Sequence, residues 1–213
     1  LVEQGPGALA IIAAYLADER WFVVRNAVTI IGDIRHASGA EYLNPLLHHE
    51  DIRVCREAIR SLTRIGGPDA ARILLEAVDD KDQEISRQAL LSLGVVKDPS
   101  AVPTLLRIIQ RSDFFMNLSG KKKDALHALG EIGSPDALPA LVELVKKRRF
   151  FKRREFNELR ALAAQALGDI GHPDAIPVLE AVFKSASGEV ARQANTSLKQ
   201  LSRLKDQHGS GTL

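Results

Sequence analysis

The densest chemistry in the sequence lies between positions 146 and 154, in the run KKRRFFKRR. Lys146, Lys147, Arg148, Arg149, Lys152, Arg153 and Arg154 flank Phe150 and Phe151, with no carboxylate among them. Cations at this density neutralise anions. An aromatic pair set among them can stack on bases, enter a lipid interface or dock against a protein segment. A second stretch of the same kind, RSDFFMNLSGKKK, carries Phe114 and Phe115 followed by Lys121, Lys122 and Lys123. The chain has 29 basic and 27 acidic residues, and once these ten cations are set aside 19 basic residues face 27 acidic ones. The positive charge is gathered at two places on an otherwise acidic chain.

Catalytic chemistry finds less support. His36 and His172 fall at equivalent places in a repeating pattern described below, which accounts for them better than metal binding. His48 and His49, in the run HHED, occupy a loop between repeat units with no second ligand cluster visible, and His127 has no catalytic partner in view. No Gly-rich phosphate loop follows a strand, and no nucleophile pairs with a base. We therefore expect no catalytic residues, no metal and no cofactor. Cys55 is the single cysteine. It sits beside a buried helical stripe, where a thiol is inert core, and its isolation fits a reducing, cytoplasmic setting. The longest apolar run, Ala8 to Ala17, is ten residues, too short to span a bilayer, and no charged segment precedes it. No membrane insertion is expected.

The elements that must carry these residues follow from a repeat. Ala27, Ala58, Ala89, Ala125, Ala163 and Ala194 are separated by 31, 31, 36, 38 and 31 residues. Four before each anchor stand Val23, Val54, Ile85, Leu159 and Val190, with Lys121 the exception. Four after stand Ile31, Leu62, Leu93, Leu129, Leu167 and Leu198, and seven after stand Ile34, Ile65, Val96, Ile132, Ile170 and Leu201. Offsets of −4, 0, +4 and +7 trace one stripe of an α-helix. Glycines at +5 (Gly32, Gly94, Gly130, Gly168) read as packing or helix-end residues. Pro68, Pro99, Pro135 and Pro173 are expected to stop this helix, Asp69, Ser100, Asp136 and Asp174 to cap the next, and Pro103, Pro139 and Pro177 to lie in its first turn.

Each unit is then a helical hairpin that buries its stripe only by stacking on neighbours. The segments VVRNAVTIIGDI, ISRQALLSLGVV and LAAQALGDIGHPDAIPVL resemble the HEAT repeats, in the short bacterial form found in phycobilisome lyases and scaffold proteins. The resemblance implies an all-α fold, a right-handed α-α superhelix of about six hairpins, as a single solenoid over residues 1–205 with units at about 7–35, 38–66, 67–97, 98–133, 134–171 and 172–204. Residues 206–213 read as a disordered or vector-derived tail. The run from Ala8 is apolar all round, and we expect further repeats upstream in a longer protein. In HEAT-like repeats the row Arg25, Arg56, Arg87, Lys123 and Arg192, with Asp33, Glu131 and Asp169, resembles a charge ladder between units.

The spacings of 36 and 38 mark units with five and seven extra residues, and both basic-aromatic stretches fall in them. Insertions in repeat arrays map to loops, often on a binding face. Adjacent units should bring the two stretches together as one surface. The reading is a non-enzymatic interaction scaffold whose candidate site is Lys121 to Lys123 with Lys146 to Arg154, its partner an acidic protein segment. Alternatives are a nucleic-acid-binding HEAT-like domain, a chromophore-lyase-like subunit or chaperone, an anionic membrane or small phosphorylated ligand at the inserts, and phenylalanines that merely plug the widened gaps.

Overall fold

The computed structural model describes residues 6–113 and 115–209, so residues 1–5, Phe114 and residues 210–213 lie outside the described residues. The chain is all-α and divides into two compact units, Leu1–Ala101 and Val102–Leu213.

In the first unit α1 (Pro6–Ala13) leads into α2 (Trp21–Ile34), α3 (Gly39–Leu43), α4 (Ile52–Ile65), α5 (Gly67–Ala77) and α6 (Gln83–Val96). The anchor-bearing helices stack, α2 on α4 and α4 on α6, while α3 packs on α4 and α5 on α6. The second unit repeats the scheme with α7 (Val102–Gln110), α8 (Ser119–Ile132), α9 (Leu138–Lys146), α10 (Arg153–Ile170), α11 (Ile176–Ser185) and α12 (Gly188–Gly209). Here α8 stacks on α10 and α10 on α12, with α7, α9 and α11 against α8, α10 and α12. α12 continues to Gly209, so the expected boundary after residue 205 falls within a helix.

All six anchor alanines are buried. The +4 row is buried except Leu198, which is half-buried, and the +7 row is half-buried apart from Leu201. In α2 the buried residue before the anchor is Val24, not the half-buried Val23. The small +5 residue permits close stacking. A Cβ on Gly32 would lie 2.6 Å from Ser61 Cβ, and one on Gly168 2.7 Å from Ser197 Cβ. Ser61 and Ser197 donate across the same junctions, to Val28 O at 3.0 Å and Ala164 O at 2.8 Å.

The turns correct two expectations. The helices end on left-handed residues, Arg35, Lys97, Gly133 and Gly171, and the prolines open the next helical segment. At Pro99, Pro135 and Pro173 the residue before the proline supplies the cap, while before Pro68 the N-cap is Gly66, which makes no side-chain cap. Asp98 Oδ1 accepts from Ser100 N, Ser134 Oγ from Asp136 N and His172 Nδ1 from Asp174 N. All three stand nine after an anchor, as does His36, whose Nδ1 accepts from Ser38 N. The imidazoles replace the usual capping oxygen. The charge ladder is mixed: along the +6 row Arg64 pairs with Asp33 at 3.4 Å and Gln200 Nε2 donates to Asp169 at 3.4 Å, while in the expected row Lys123 pairs across repeats with Glu158. Arg87 and Arg192 pair with Glu84 and Glu189 of their own helices.

Candidate functional site

One position, three before the anchor, ties the junction within four of the hairpins. Cys55 Sγ donates to His49 O at 3.1 Å, and Ser86 Oγ donates to Val78 O. Lys122 Nζ donates to Arg111 O, and Arg160 Nε to Val145 O at 2.9 Å. Each ties a carbonyl at the end of one helical segment to the following helix, satisfying an acceptor that helix geometry leaves open. Short donors, Cys55 and Ser86, serve two of the hairpins without insertions. In the two lengthened hairpins a Lys and an Arg take their place. Lys122 and Arg160 are therefore buried, each 6% exposed. Burial pushes the Lys122 ammonium below its ordinary pKa, and nearby Asp113 only partly opposes this. The Arg160 guanidinium is likewise lowered by burial, then by Arg148 and Arg153. Lys122 thus does not present its charge on the open basic surface expected of it.

The two inserts meet in the second unit. In the first, between α7 and α8, the Asp113 carboxylate accepts from Asn117 N at 3.0 Å and Leu118 N at 2.7 Å, closing a turn in which Met116 is buried with a left-handed φ of 61°. In the second, Arg149 reaches back, its Nη1 donating to Asp113 O at 3.1 Å, with Met116 Sδ 3.8 Å away. Its guanidinium lies 5.0 Å from the centre of the Phe156 ring. Phe156, 4% exposed, is the aromatic core of the junction. The sequence reading passed over it in favour of the Phe pairs. Those rings point outward: Phe115 and Phe151 are exposed and Phe150 entirely so, at 103%. Phe114 lies outside the described residues.

The cations divide by partner. Lys123 pairs with Glu158 at 2.5 Å, Lys147 with Glu143 at 3.9 Å, Lys152 with Glu155 at 3.3 Å and Arg154 with Glu158 at 3.8 Å. Lys121 is half-buried and Lys146 exposed. Arg148 donates to Ser185 O at 3.0 Å. Among the described residues, no carboxylate pairs with Arg148, Arg149, Arg153 or Arg160. Two cavities flank this junction. One, about 340 Å³, is walled by Ile109, Met116, Leu144 and Phe156 and touched by Lys122 and Arg149. The other, about 220 Å³, is bounded by Arg148, Arg149, Arg153, Arg160 and Asn157 and by the Ser185–Ser187 link to α12, with Phe150 at its rim. The four arginines of the second cavity form a set of donors suited to an anion. Among the described residues no group of three His, Cys, Asp or Glu side chains could hold a metal ion.

Residues 8–93 and 74–155 match the profile of the HEAT repeats, and residues 159–185 match the PBS lyase HEAT-like repeat. The chain belongs to the HEAT-repeat family. A comparison with curated proteins gives no match. Solved structures place the HEAT chain among HEAT- and armadillo-like repeat folds. An engineered protein matches at 22% identity and a TM-score of 0.51, over 92% of this chain and 97% of that one. The complex of CpcE and CpcF of phycocyanin lyase from Nostoc sp. PCC7120 matches at 20% and 0.52, over 91% and 94%. A designed armadillo repeat protein in complex with the peptide (KR)4 matches at 15% and 0.51, over 91% and 99%. At these identities the likeness is one of fold.

Proposed function

We propose that this HEAT-repeat chain is a non-catalytic protein-interaction scaffold that takes an acidic peptide segment on the inserts of its second unit. The observation that carries the reading is Phe150. A phenylalanine kept to plug a widened gap would be buried, yet this one is fully exposed between Arg149 and Arg153. Exposed aromatics ringed by cations are features of interfaces. The fold supports the reading, since the CpcE–CpcF neighbour is a complex of two proteins and the armadillo neighbour holds a peptide. That peptide is basic, whereas the inserts here call for the opposite charge.

A cytoplasmic setting agrees with the lone thiol of Cys55, and among the described residues no helix is long and apolar enough to cross a membrane. The test is anisotropy of a labelled Glu-rich peptide. Binding should weaken steeply with salt, because exposed charges are screened over about 8 Å at physiological ionic strength. Replacing Arg148, Arg153 and Arg154 by Gln should remove it while leaving helicity intact. Preferential capture of nucleic acid, lost on nuclease treatment, would sink the acidic-segment reading.

A further inference from the structure

Several arginines elsewhere in this protein pair with carboxylates: Arg20 with Asp18, Arg53 with Asp51, Arg64 with Glu57, Arg72 with Glu41. The 220 Å³ cavity between α10 and the link to α12 differs in gathering four arginines at one place. Arg148, Arg149, Arg153 and Arg160 all bound it, and among the described residues no carboxylate answers them. Their mutual repulsion opposes folding. Arg153 also stands in the first turn of α10, the positive end of the helix dipole, where a cation is disfavoured. Local structure explains only part of this. Arg160 caps Val145 O through Nε and holds Asn157 Oδ1 through Nη1 at 3.0 Å, but Nη2 has no protein partner among the described residues. Arg148 is braced on Ser185 O, and Arg149 on Asp113 O. Three of the four guanidiniums are thus held in place by the backbone with further donors to spare. The facing wall is the Ser185–Ser187 link.

We propose that this cavity binds a phosphomonoester carried on the partner peptide, a phosphorylated serine or threonine side chain. A carboxylate offers two oxygens and one charge. A phosphomonoester offers three acceptor oxygens and between about −1.5 and −2 charges near neutrality, which suits several convergent guanidiniums far better. The exposed Phe150 at the rim marks the peptide as the carrier, since it offers an apolar contact outside the cavity for a flanking residue. The inference rests on the reading of the inserts as a peptide-binding surface and adds the chemistry of one anchoring residue.

The experiment compares labelled short peptides identical except for a central phosphoserine, glutamate or serine, together with a Glu-rich peptide, against the full chain at physiological salt. The phosphoserine peptide should bind about tenfold more tightly than the glutamate peptide, the gain expected from added charge-assisted hydrogen bonds. Inorganic phosphate should compete, and Arg148→Gln/Arg153→Gln should erase the preference. Arg160→Lys, which keeps a cation at Val145 O, should erase it too, with circular dichroism verifying the fold. Equal binding of phosphoserine and glutamate peptides overturns the phosphate site, and binding of the Glu-rich peptide would then leave the broader reading standing. A preference that survives Arg148→Gln/Arg153→Gln also overturns it. Phosphoserine binding without Glu-rich binding keeps the cavity and removes the broader reading. Vesicles containing phosphatidic acid that bind while every peptide fails overturn the peptide assignment.

Discussion

Single side chains set the geometry at both ends of this protein. In the first unit, the Asp51 carboxylate caps α4 through Arg53 N at 2.9 Å and holds the Arg53 guanidinium, which lies 3.4 Å from the centre of the Trp21 ring. The hydrogen bond from Arg53 is the main reason that the Asp51 carboxyl falls from 3.8 to about 2. A folded carboxyl that is the stronger acid contributes stability above its unfolded value and loses it as the pH falls through its folded value. We expect a transition in Trp21 fluorescence between pH 4 and pH 2, since Trp21 is the only tryptophan. Asp51→Asn should abolish that transition and lower the Tm near neutrality. An unchanged titration in the variant would disprove the coupling. At the other insert, Phe150→Ala should change stability by less than about 0.5 kcal/mol, as surface substitutions do. Phe156→Ala should cost roughly 3–5 kcal/mol, because it empties the junction beneath Arg149. Chemical denaturation of both variants decides the matter.

At the scale of elements, the stacking of anchor-bearing helices depends on one small residue facing another. Gly32→Ala drives a Cβ against Ser61 Cα and Cβ, atoms that cannot swing aside, and should destabilise by about 1–3 kcal/mol, the usual range for overpacking. Gly120 is also helical, but a Cβ there meets nothing within 4 Å. Gly120→Ala should stabilise by up to about 1 kcal/mol through helix propensity. Opposite shifts in Tm for the same substitution would confirm that close approach, not helix propensity, selects glycine at the +5 row. The insertions act at this scale too. α10 has 18 residues where α2, α4, α6 and α8 have 14, so part of the added length becomes helix instead of loop. Lys122→Ser should cost about 1–3 kcal/mol by stranding Arg111 O, which the shorter donor cannot reach. The test is whether Lys122→Arg, long enough to keep the bond, restores the melting temperature.

Across the whole molecule, charge is segregated by unit. Residues 1–101 carry 11 basic and 15 acidic side chains, residues 102–213 carry 18 and 12. A polyanionic peptide is attracted to the second unit from a distance and repelled by the first, which favours fast, salt-sensitive association. On binding the Glu-rich peptide, amide exchange should slow around residues 111–118 and 147–157 and remain unchanged in the first unit. Protection centred on the first unit would place the site elsewhere.

The sequence by itself determined the architecture. The six alanine anchors and their flanking rows fix a helical period, and burial of one stripe per helix leaves stacking as the only outlet for the apolar surface. It also located the two inserts and implied that they adjoin, as Arg149 on Asp113 O now shows. What it could not decide was which cations are free. Lys122 and Arg160 stand in a row otherwise filled by Val24, Cys55, Ser86 and Ala191, and a charge at such a position reads as surface until its carbonyl partner is seen. Lys123, Lys147, Lys152 and Arg154 are offset by Glu158, Glu143 and Glu155, pairings that depend on side-chain direction and, for Lys123 with Glu158, on the approach of α8 to α10. Local pattern encodes which face of a helix is apolar. Only the packed chain brings residues 148, 153 and 160 to one cavity and leaves their charge unanswered.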